Sequence, residues 1–133
     1  MTLCSSLWLN AQNFIHPGML HTQADLDRTK AKVEAGEEPW ASAYRKLLTS
    51  PHVSLDWKAA PVEKIVRGGR TIWEPDPDNY QLAYRDAATA YQCALVWHIS
   101  GDKAYADKSV QILNAWALSL IHISEPTRRV VIS

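Results

Sequence analysis

Residues 79–118 constrain the fold of this chain more than any other stretch. They spell NYQLAYRDAATAYQCALVWHISGDKAYADKSVQILNAWAL, two long helical patterns interrupted only at Gly101-Asp102. Glycine commonly ends a helix and aspartate commonly caps the next, so the break is predicted to separate two helices. Because the connection is short, the two helices are predicted to run antiparallel. The predicted fold class is therefore all-α, built from antiparallel helical hairpins.

Both helices of this hairpin carry apolar side chains at helical spacing, which predicts their buried faces. On the first helix the predicted stripes are Tyr80, Tyr84, Ala87, Tyr91, Ala94, Leu95 and His98, and Ala83, Ala87, Ala90, Ala94 and Trp97. On the second helix the predicted buried face is Tyr105, Ala106, Val110, Leu113, Trp116 and Ala117. Cys93 falls among apolar residues, where a buried thiol is expected. His98 is expected to interact with the dipole at the end of its helix.

A shorter helical pair is predicted before this hairpin. Thr22 is a suitable N-cap, and Asp25 is favoured near the positive end of a helix. These signals predict a helix over residues 23–35 that stops at Gly36. A second helix is predicted to begin near Pro39 and to pack antiparallel to the first.

Residues 51–78 differ in kind, because four prolines and the pair Gly68-Gly69 break any periodicity. A connection this long in a compact domain is usually functional or disordered. Arg67 and Arg70 flank the glycines, which allows two interpretations. One is a solvated surface turn, and the other is an anion-binding loop in which guanidinium groups meet carboxylates. The pattern is not a phosphate loop, since no Lys-Ser/Thr follows it.

The charge balance disfavours several classes of partner. Lys+Arg and Asp+Glu number 14 each, so the sequence predicts no basic surface for nucleic acid or for an anionic membrane. No apolar run approaches the length of a membrane span. The two cysteines form no metal-binding spacing, and His16 and His21 surround a Pro-Gly turn at no recognised ligand spacing. Neither a metal nor a cofactor is therefore predicted.

The two ends of the chain are interpreted separately. Residues 1–13 are short and apolar but lack a positively charged start, which is typical of a signal-peptide remnant and predicts a secreted or periplasmic protein. Residues 119–133 are rich in β-branched side chains, and the run SLIHISEPTR resembles a translated sequencing adapter. We interpret this tail as non-native. The alternative is a genuine C-terminal strand.

Residues 14–118 resemble the N-terminal part of the alginate lyase family of polysaccharide lyases. The resemblance is carried by FIHPGMLHTQADLDRTKAKVEAGEEPW, then the loop Arg67-Gly68-Gly69, then NYQLAYRDAATAYQCALVWHISGDKAYADKSVQILNAW. It implies an incomplete α/α toroid, a ring of helical hairpins around a substrate cleft. It also implies a parent enzyme that cleaves alginate or a related polyuronate by β-elimination. Such a site must neutralise the uronate carboxylate, remove the C5 proton and protonate the departing O4.

The resemblance assigns no catalytic residue to this chain. The family's Asn-His motif is missing, since none of the four asparagines precedes a histidine. The chain is therefore expected to be inactive as it stands. What the resemblance leaves are contacts to an acidic polysaccharide, with Arg67 and Arg70 meeting uronate carboxylates and Trp73 stacking on a sugar face.

Two other functions stay open. The runs AYQCAL and AYADKSVQIL are loosely similar to a tetratricopeptide-like interaction module, although residues 22–48 do not repeat their pattern and such arrays need about three units. A noncatalytic sugar-binding domain is the other alternative. If the chain is a fragment whose next hairpin is missing, some apolar side chains are expected to be partly exposed: Leu95, Trp97, Leu113 or Trp116.

Overall fold

The computed structural model describes residues 20–72 and 75–120. This part of the chain contains four α-helices and one 3-10 helix: α1 (Gln23–Glu34), α2 (Trp40–Leu48), the 3-10 helix (Pro51–Val53), α3 (Tyr80–Ser100) and α4 (Lys103–Leu120). It contains no β-strand. The predicted all-α class is confirmed for the described residues. None of these helices combines the length and the apolar character needed to cross a membrane.

The start of α1 follows the sequence signals closely. The Thr22 hydroxyl accepts a hydrogen bond from the Asp25 backbone N–H at 3.2 Å, and the Asp25 carboxylate accepts one from the Thr22 N–H at 3.2 Å. These reciprocal bonds form a capping box, which satisfies amide groups that the first helical turn leaves unpaired. The hydrogen bonds from Thr22 lower the pKa of Asp25. After the helix ends, Gly36 adopts a φ of 68°, as the predicted stop requires.

The link between α3 and α4 is also as predicted. Gly101 has a φ of 76°, and its N–H donates to the Trp97 carbonyl at 2.7 Å. The Asp102 carboxylate then accepts from the Ala104 N–H at 2.9 Å, which caps the start of α4. The glycine ends one helix in a left-handed conformation, and the aspartate begins the next within two residues.

The buried face of α3 matches the two predicted stripes only at Ala90, which is 3% exposed. Tyr84 and Tyr91 are 56% and 41% exposed, whereas the residues buried on this helix are Asp86, Thr89, Ala90, Cys93 and Val96. The prediction counted apolar side chains only. Two polar residues occupy the core instead because each finds hydrogen-bond partners there, as described below. Burial of Cys93 was correctly predicted.

The predicted face of α4 is correct only in part, because Tyr105, Ala106 and Trp116 are half-buried whereas Val110, Leu113 and Ala117 are exposed. Val110 and Leu113 are 55% and 57% exposed, while their preceding neighbours Ser109 and Ile112 are buried. One residue corresponds to a rotation of about 100° around a helix, so this offset turns a stripe of apolar side chains toward solvent. The expected partial exposure is confirmed: Trp97 and Leu113 are exposed, and Leu95 and Trp116 are half-buried.

Candidate functional site

A cleft of about 610 Å³ opens beside the first turns of α3. One wall comes from the segment that follows the 3-10 helix, and the other comes from α3 itself. The lining residues are Pro51, Ser54, Asp56, Trp57, Lys58, Ala60, Leu82, Arg85 and Asp86. The cleft combines one large aromatic ring with charged groups of both signs, which is the usual make-up of a site for a polar ligand.

Asp86 fixes the wall that faces α3. Its side chain is 2% exposed, and one carboxylate oxygen accepts from the Trp57 indole N–H at 2.8 Å. The other oxygen accepts from the Ala60 backbone N–H at 2.8 Å and from the Trp116 indole N–H at 2.7 Å. A buried carboxylate is costly unless hydrogen bonds compensate it, and these N–H groups provide that compensation. The bond to Asp86 holds the Trp57 ring in one orientation.

The Trp57 ring carries a cation on the cleft wall. The Arg85 guanidinium lies 5.5 Å from the ring centroid, within the range of a cation–π contact, and the Arg85 side chain remains exposed. The His52 ring packs on the same indole at 5.0 Å with an angle of 48° between the ring planes. Trp57 is therefore packed against His52 and Arg85, and the Arg85 guanidinium is an exposed hydrogen-bond donor at the cleft.

A short hydrogen-bond chain orients His52. The Thr89 hydroxyl, which is fully buried, donates to the Arg85 carbonyl at 2.9 Å and lies 2.9 Å from the His52 Nδ1. A hydroxyl has a single hydrogen, so a Thr89 hydroxyl that donates to the Arg85 carbonyl accepts from the His52 tautomer protonated at Nδ1. This chain explains why a threonine is buried in α3, and it ties the 3-10 helix to the helix that forms the cleft.

The exposed charged groups around the cleft are of both signs. Lys58 and Arg85 are exposed cations, and a guanidinium group binds carboxylates with paired hydrogen bonds. Asp56 is exposed and offers acceptors to hydroxyl groups, whereas the Asp86 carboxylate is engaged by the indole and backbone N–H groups.

Arg67 and Arg70, both predicted as substrate contacts, are exposed but do not line this cleft. The Arg67 guanidinium lies 5.2 Å from the Tyr80 ring centroid, and the Tyr80 and Tyr84 rings are 6.0 Å apart. Arg70 has a φ of 63°. Trp73, the third predicted contact, lies outside the described residues. The structure therefore places Arg67 on a separate aromatic surface at the start of α3.

The loop that carries these arginines has an internal framework. The Asn79 side chain accepts from the Val66 N–H at 2.7 Å and donates to the Lys64 carbonyl at 2.9 Å. A Cβ atom on Gly69 would lie 1.9 Å from the Asp76 carbonyl oxygen, so only glycine fits there. Val66 is buried, which anchors the loop to the rest of the fold. The close approach of the Asp76 carbonyl oxygen therefore explains the glycine at position 69.

The cleft residues Trp57, Arg85 and Asp86 were not singled out from the sequence. A signal existed for Asp86, because an aspartate within the apolar helical run AYRDAATAY needs a buried partner or an exposed position. Nothing local identifies that partner as Trp57, which lies 29 residues earlier. The contact becomes visible only when the segment after the 3-10 helix folds back onto α3.

A smaller cavity of about 190 Å³ lies between α1, α2 and α3. Its lining is mainly apolar and includes Leu26, Val33 and Leu95. The Nε2 of His98 is buried at this cavity, 3.8 Å from an Asp27 carboxylate oxygen. The charged ligand-binding groups are concentrated at the larger cleft instead.

Within the described residues, no group of three or more His, Cys, Asp and Glu side chains is arranged to hold a metal ion. The chain matches no family model, no curated protein and no solved structure.

Proposed function

We propose that this chain is part of a polysaccharide lyase that acts on alginate or a related polyuronate, and that the described residues bind the acidic polysaccharide. The observation that carries the proposal is the Arg85 guanidinium placed over the Trp57 ring on the wall of an open cleft. The resemblance of residues 14–118 to alginate lyases supplies the substrate class. A secreted or periplasmic location belongs to the same proposal.

The proposal includes the finer architecture of antiparallel hairpins in an incomplete α/α toroid. Two observations support it. Gly101 and Asp102 connect α3 to α4 within two residues, and Trp116 near the end of α4 contacts Asp86 near the start of α3. In addition, Val110 and Leu113 present an apolar face on α4 of the kind against which a neighbouring hairpin packs.

The role of the cleft in this proposal is recognition. A uronate ring lies in the cleft beside the wall that Trp57 and Arg85 form, and its carboxylate pairs with Arg85 or Lys58. Asp56 accepts hydrogen bonds from the sugar hydroxyls. No step of the elimination is assigned to these residues, because the chain carries no Asn-His motif. We therefore expect binding of polyuronate without formation of the unsaturated product that a lyase releases.

Affinity electrophoresis tests this proposal directly. The wild-type chain is expected to migrate more slowly in a gel that contains alginate than in one that contains dextran, a neutral polymer. Trp57→Ala and Arg85→Ala are expected to lose most of this retardation. Arg45→Ala is the matched control, because Arg45 is an exposed arginine on α2 that pairs with Glu38 at 2.8 Å, away from the cleft. Unchanged retardation of both cleft variants would refute the proposal.

A second candidate is a helical protein-interaction module. It is favoured by the exposed apolar side chains of α4, since such a face commonly binds another helix. A pull-down that recovers a peptide partner, from a chain that alginate does not retard, would select this candidate. Retardation by alginate that depends on Trp57 would exclude it as the main function.

A further inference from the structure

The cavity of about 190 Å³ between α1, α2 and α3 is separate from the cleft at Trp57, and its described lining includes none of the residues that line that cleft. An apolar cavity of about 150 Å³ is large enough to bind benzene. The space between the three helices is therefore large enough for one small ring. Its large apolar side chains are half-buried: Leu26, Val33, Trp40, Tyr44, Leu47, Leu95 and Ile99.

The packing of α1 depends on this cavity. All of α1 lies within the described part of the chain, and none of its residues is fully buried. Its apolar side chains Leu26 and Val33 line the cavity instead. Protein interiors contain few voids larger than a water molecule, because side chains around a void lose packing contacts. A ring in this cavity would supply such contacts to all three helices at once.

One polar atom at the cavity has no hydrogen-bond partner. The Nε2 of His98 is buried and makes no hydrogen bond to any atom of residues 20–72 and 75–120. Two other polar groups of the lining are engaged. The His21 Nε2 lies 2.5 Å from the Tyr91 hydroxyl, and the Thr29 hydroxyl donates to the Asp25 carbonyl at 2.8 Å. A buried polar atom without a partner is costly, so a ligand that pairs with the His98 Nε2 removes that cost.

The surroundings of His98 favour a neutral ligand with a hydroxyl group. An Asp27 carboxylate oxygen lies 3.8 Å from the Nε2, beyond hydrogen-bond distance, and it already accepts from the Gln23 side chain at 2.8 Å. This carboxylate repels anions, and burying a charge among apolar side chains is costly. A hydroxyl group can donate to an unprotonated Nε2 or accept from a protonated one, so it fits either tautomer of His98.

We propose that this cavity is a binding site for a small neutral aromatic alcohol of the phenol type. The ring packs among the apolar side chains of α1, α2 and α3, and the hydroxyl group pairs with the His98 Nε2. The inference goes beyond polysaccharide binding and does not depend on it, because the two sites share no described residue.

Titration of the isotopically labelled full chain with phenol and with toluene tests the site, with amide chemical shifts from NMR as the measurement. Toluene has the same ring with a methyl group in place of the hydroxyl. Both compounds are expected to shift the amides of lining residues such as Leu26 and Leu95. In His98→Leu, the ratio of phenol affinity to toluene affinity is expected to fall about tenfold, the loss that one buried hydrogen bond accounts for.

Ala43→Phe tests the location of the site. Ala43 lines the cavity from an exposed position of α2, so a phenyl group there occupies the space that the ligand needs, and binding of both compounds should be lost. Ala31→Phe is the matched control, because Ala31 is exposed on α1 and does not line the cavity. Circular dichroism checks that both variants keep their helices.

Three results would overturn the inference. Absence of phenol binding by the wild-type chain, or binding that Ala43→Phe leaves unchanged, would show that the cavity is not the site. Equal losses in the two alanine variants would show that the effect does not come from the cavity. An unchanged affinity ratio in His98→Leu would show that the His98 Nε2 does not recognise the hydroxyl group.

Discussion

The indole N–H of Trp116 donates to the buried carboxylate of Asp86 at 2.7 Å, which joins the last part of α4 to the beginning of α3. The same carboxylate accepts from the Trp57 indole and from the Ala60 backbone N–H. One acidic side chain thus connects the packing of two helices to the wall of the cleft. A change at Asp86 should affect both stability and ligand binding.

Asp86→Ala is expected to lower the free energy of unfolding by about 3 kcal/mol or more, because it leaves buried N–H donors without an acceptor. Urea denaturation followed by circular dichroism measures the loss. Asp107→Ala is the control, since Asp107 is exposed and pairs with Lys103 on the surface of α4. It should change the free energy of unfolding by less than about 1 kcal/mol. Similar losses in the two variants would contradict the structural role of Asp86.

Cys93 is expected to make the free energy of unfolding depend on pH in the alkaline range. The side chain is fully buried, and this burial raises the pKa of its thiol above the ordinary value of 9.0, with Lys108 acting in the opposite direction. The folded thiol therefore holds its proton to higher pH than the unfolded thiol does. Its contribution to stability is complete below the unfolded pKa and is lost as the pH rises from there through the folded pKa.

Urea midpoints measured from neutral pH to above pH 9.0 test this dependence. The wild-type midpoint should fall more steeply in the alkaline range than that of Cys93→Ala, which lacks the titrating group. Other alkaline groups, such as tyrosines and lysines, are common to both proteins and cancel in the difference. Parallel curves would show that the thiol titrates alike in the folded and unfolded chains.

The boundaries of the helices were predictable because local chemistry sets them. Thr22 and Asp25 cap α1 through groups three residues apart, and Gly101 ends α3 through its own backbone conformation. Such signals lie within one turn of the element that they control, so a sequence pattern contains all the necessary information.

The buried faces and the cleft were not predictable in the same way. Asp86 is buried because Trp57 and Trp116, 29 and 30 residues away, bring N–H groups to it. Thr89 is buried because His52 bonds to its hydroxyl across 37 residues. A count of apolar side chains assigns both positions to the surface and places tyrosines in the core. Only the folded chain shows which polar residues obtain partners.

Arg67 is predicted to contribute less to polysaccharide binding than Arg85. Arg67 stacks on Tyr80 outside the cleft, and an exposed charge contact that salt screens contributes about 1 kcal/mol or less. Arg67→Ala should therefore weaken alginate binding by less than about fivefold. Trp73→Ala, measured in the same binding assay, tests the prediction that Trp73 stacks on a sugar face. Arg28→Ala is the control, because Arg28 pairs with Asp25 on α1. An effect of Arg67→Ala as large as that of Arg85→Ala would move the main contact out of the cleft.

The exposed apolar face of α4 should make the isolated chain self-associate. Val110 and Leu113 are 55% and 57% exposed, and covering such side chains removes apolar area from water. Leu113→Gln is therefore expected to shift the chain toward monomer in sedimentation velocity experiments. Leu48→Gln is the control, because Leu48 is 45% exposed on α2. This substitution makes the same chemical change as Leu113→Gln on a different helix. If both substitutions reduce association to the same degree, general surface hydrophobicity is the cause. A selective effect at Leu113 would identify α4 as the face against which a neighbouring helix packs.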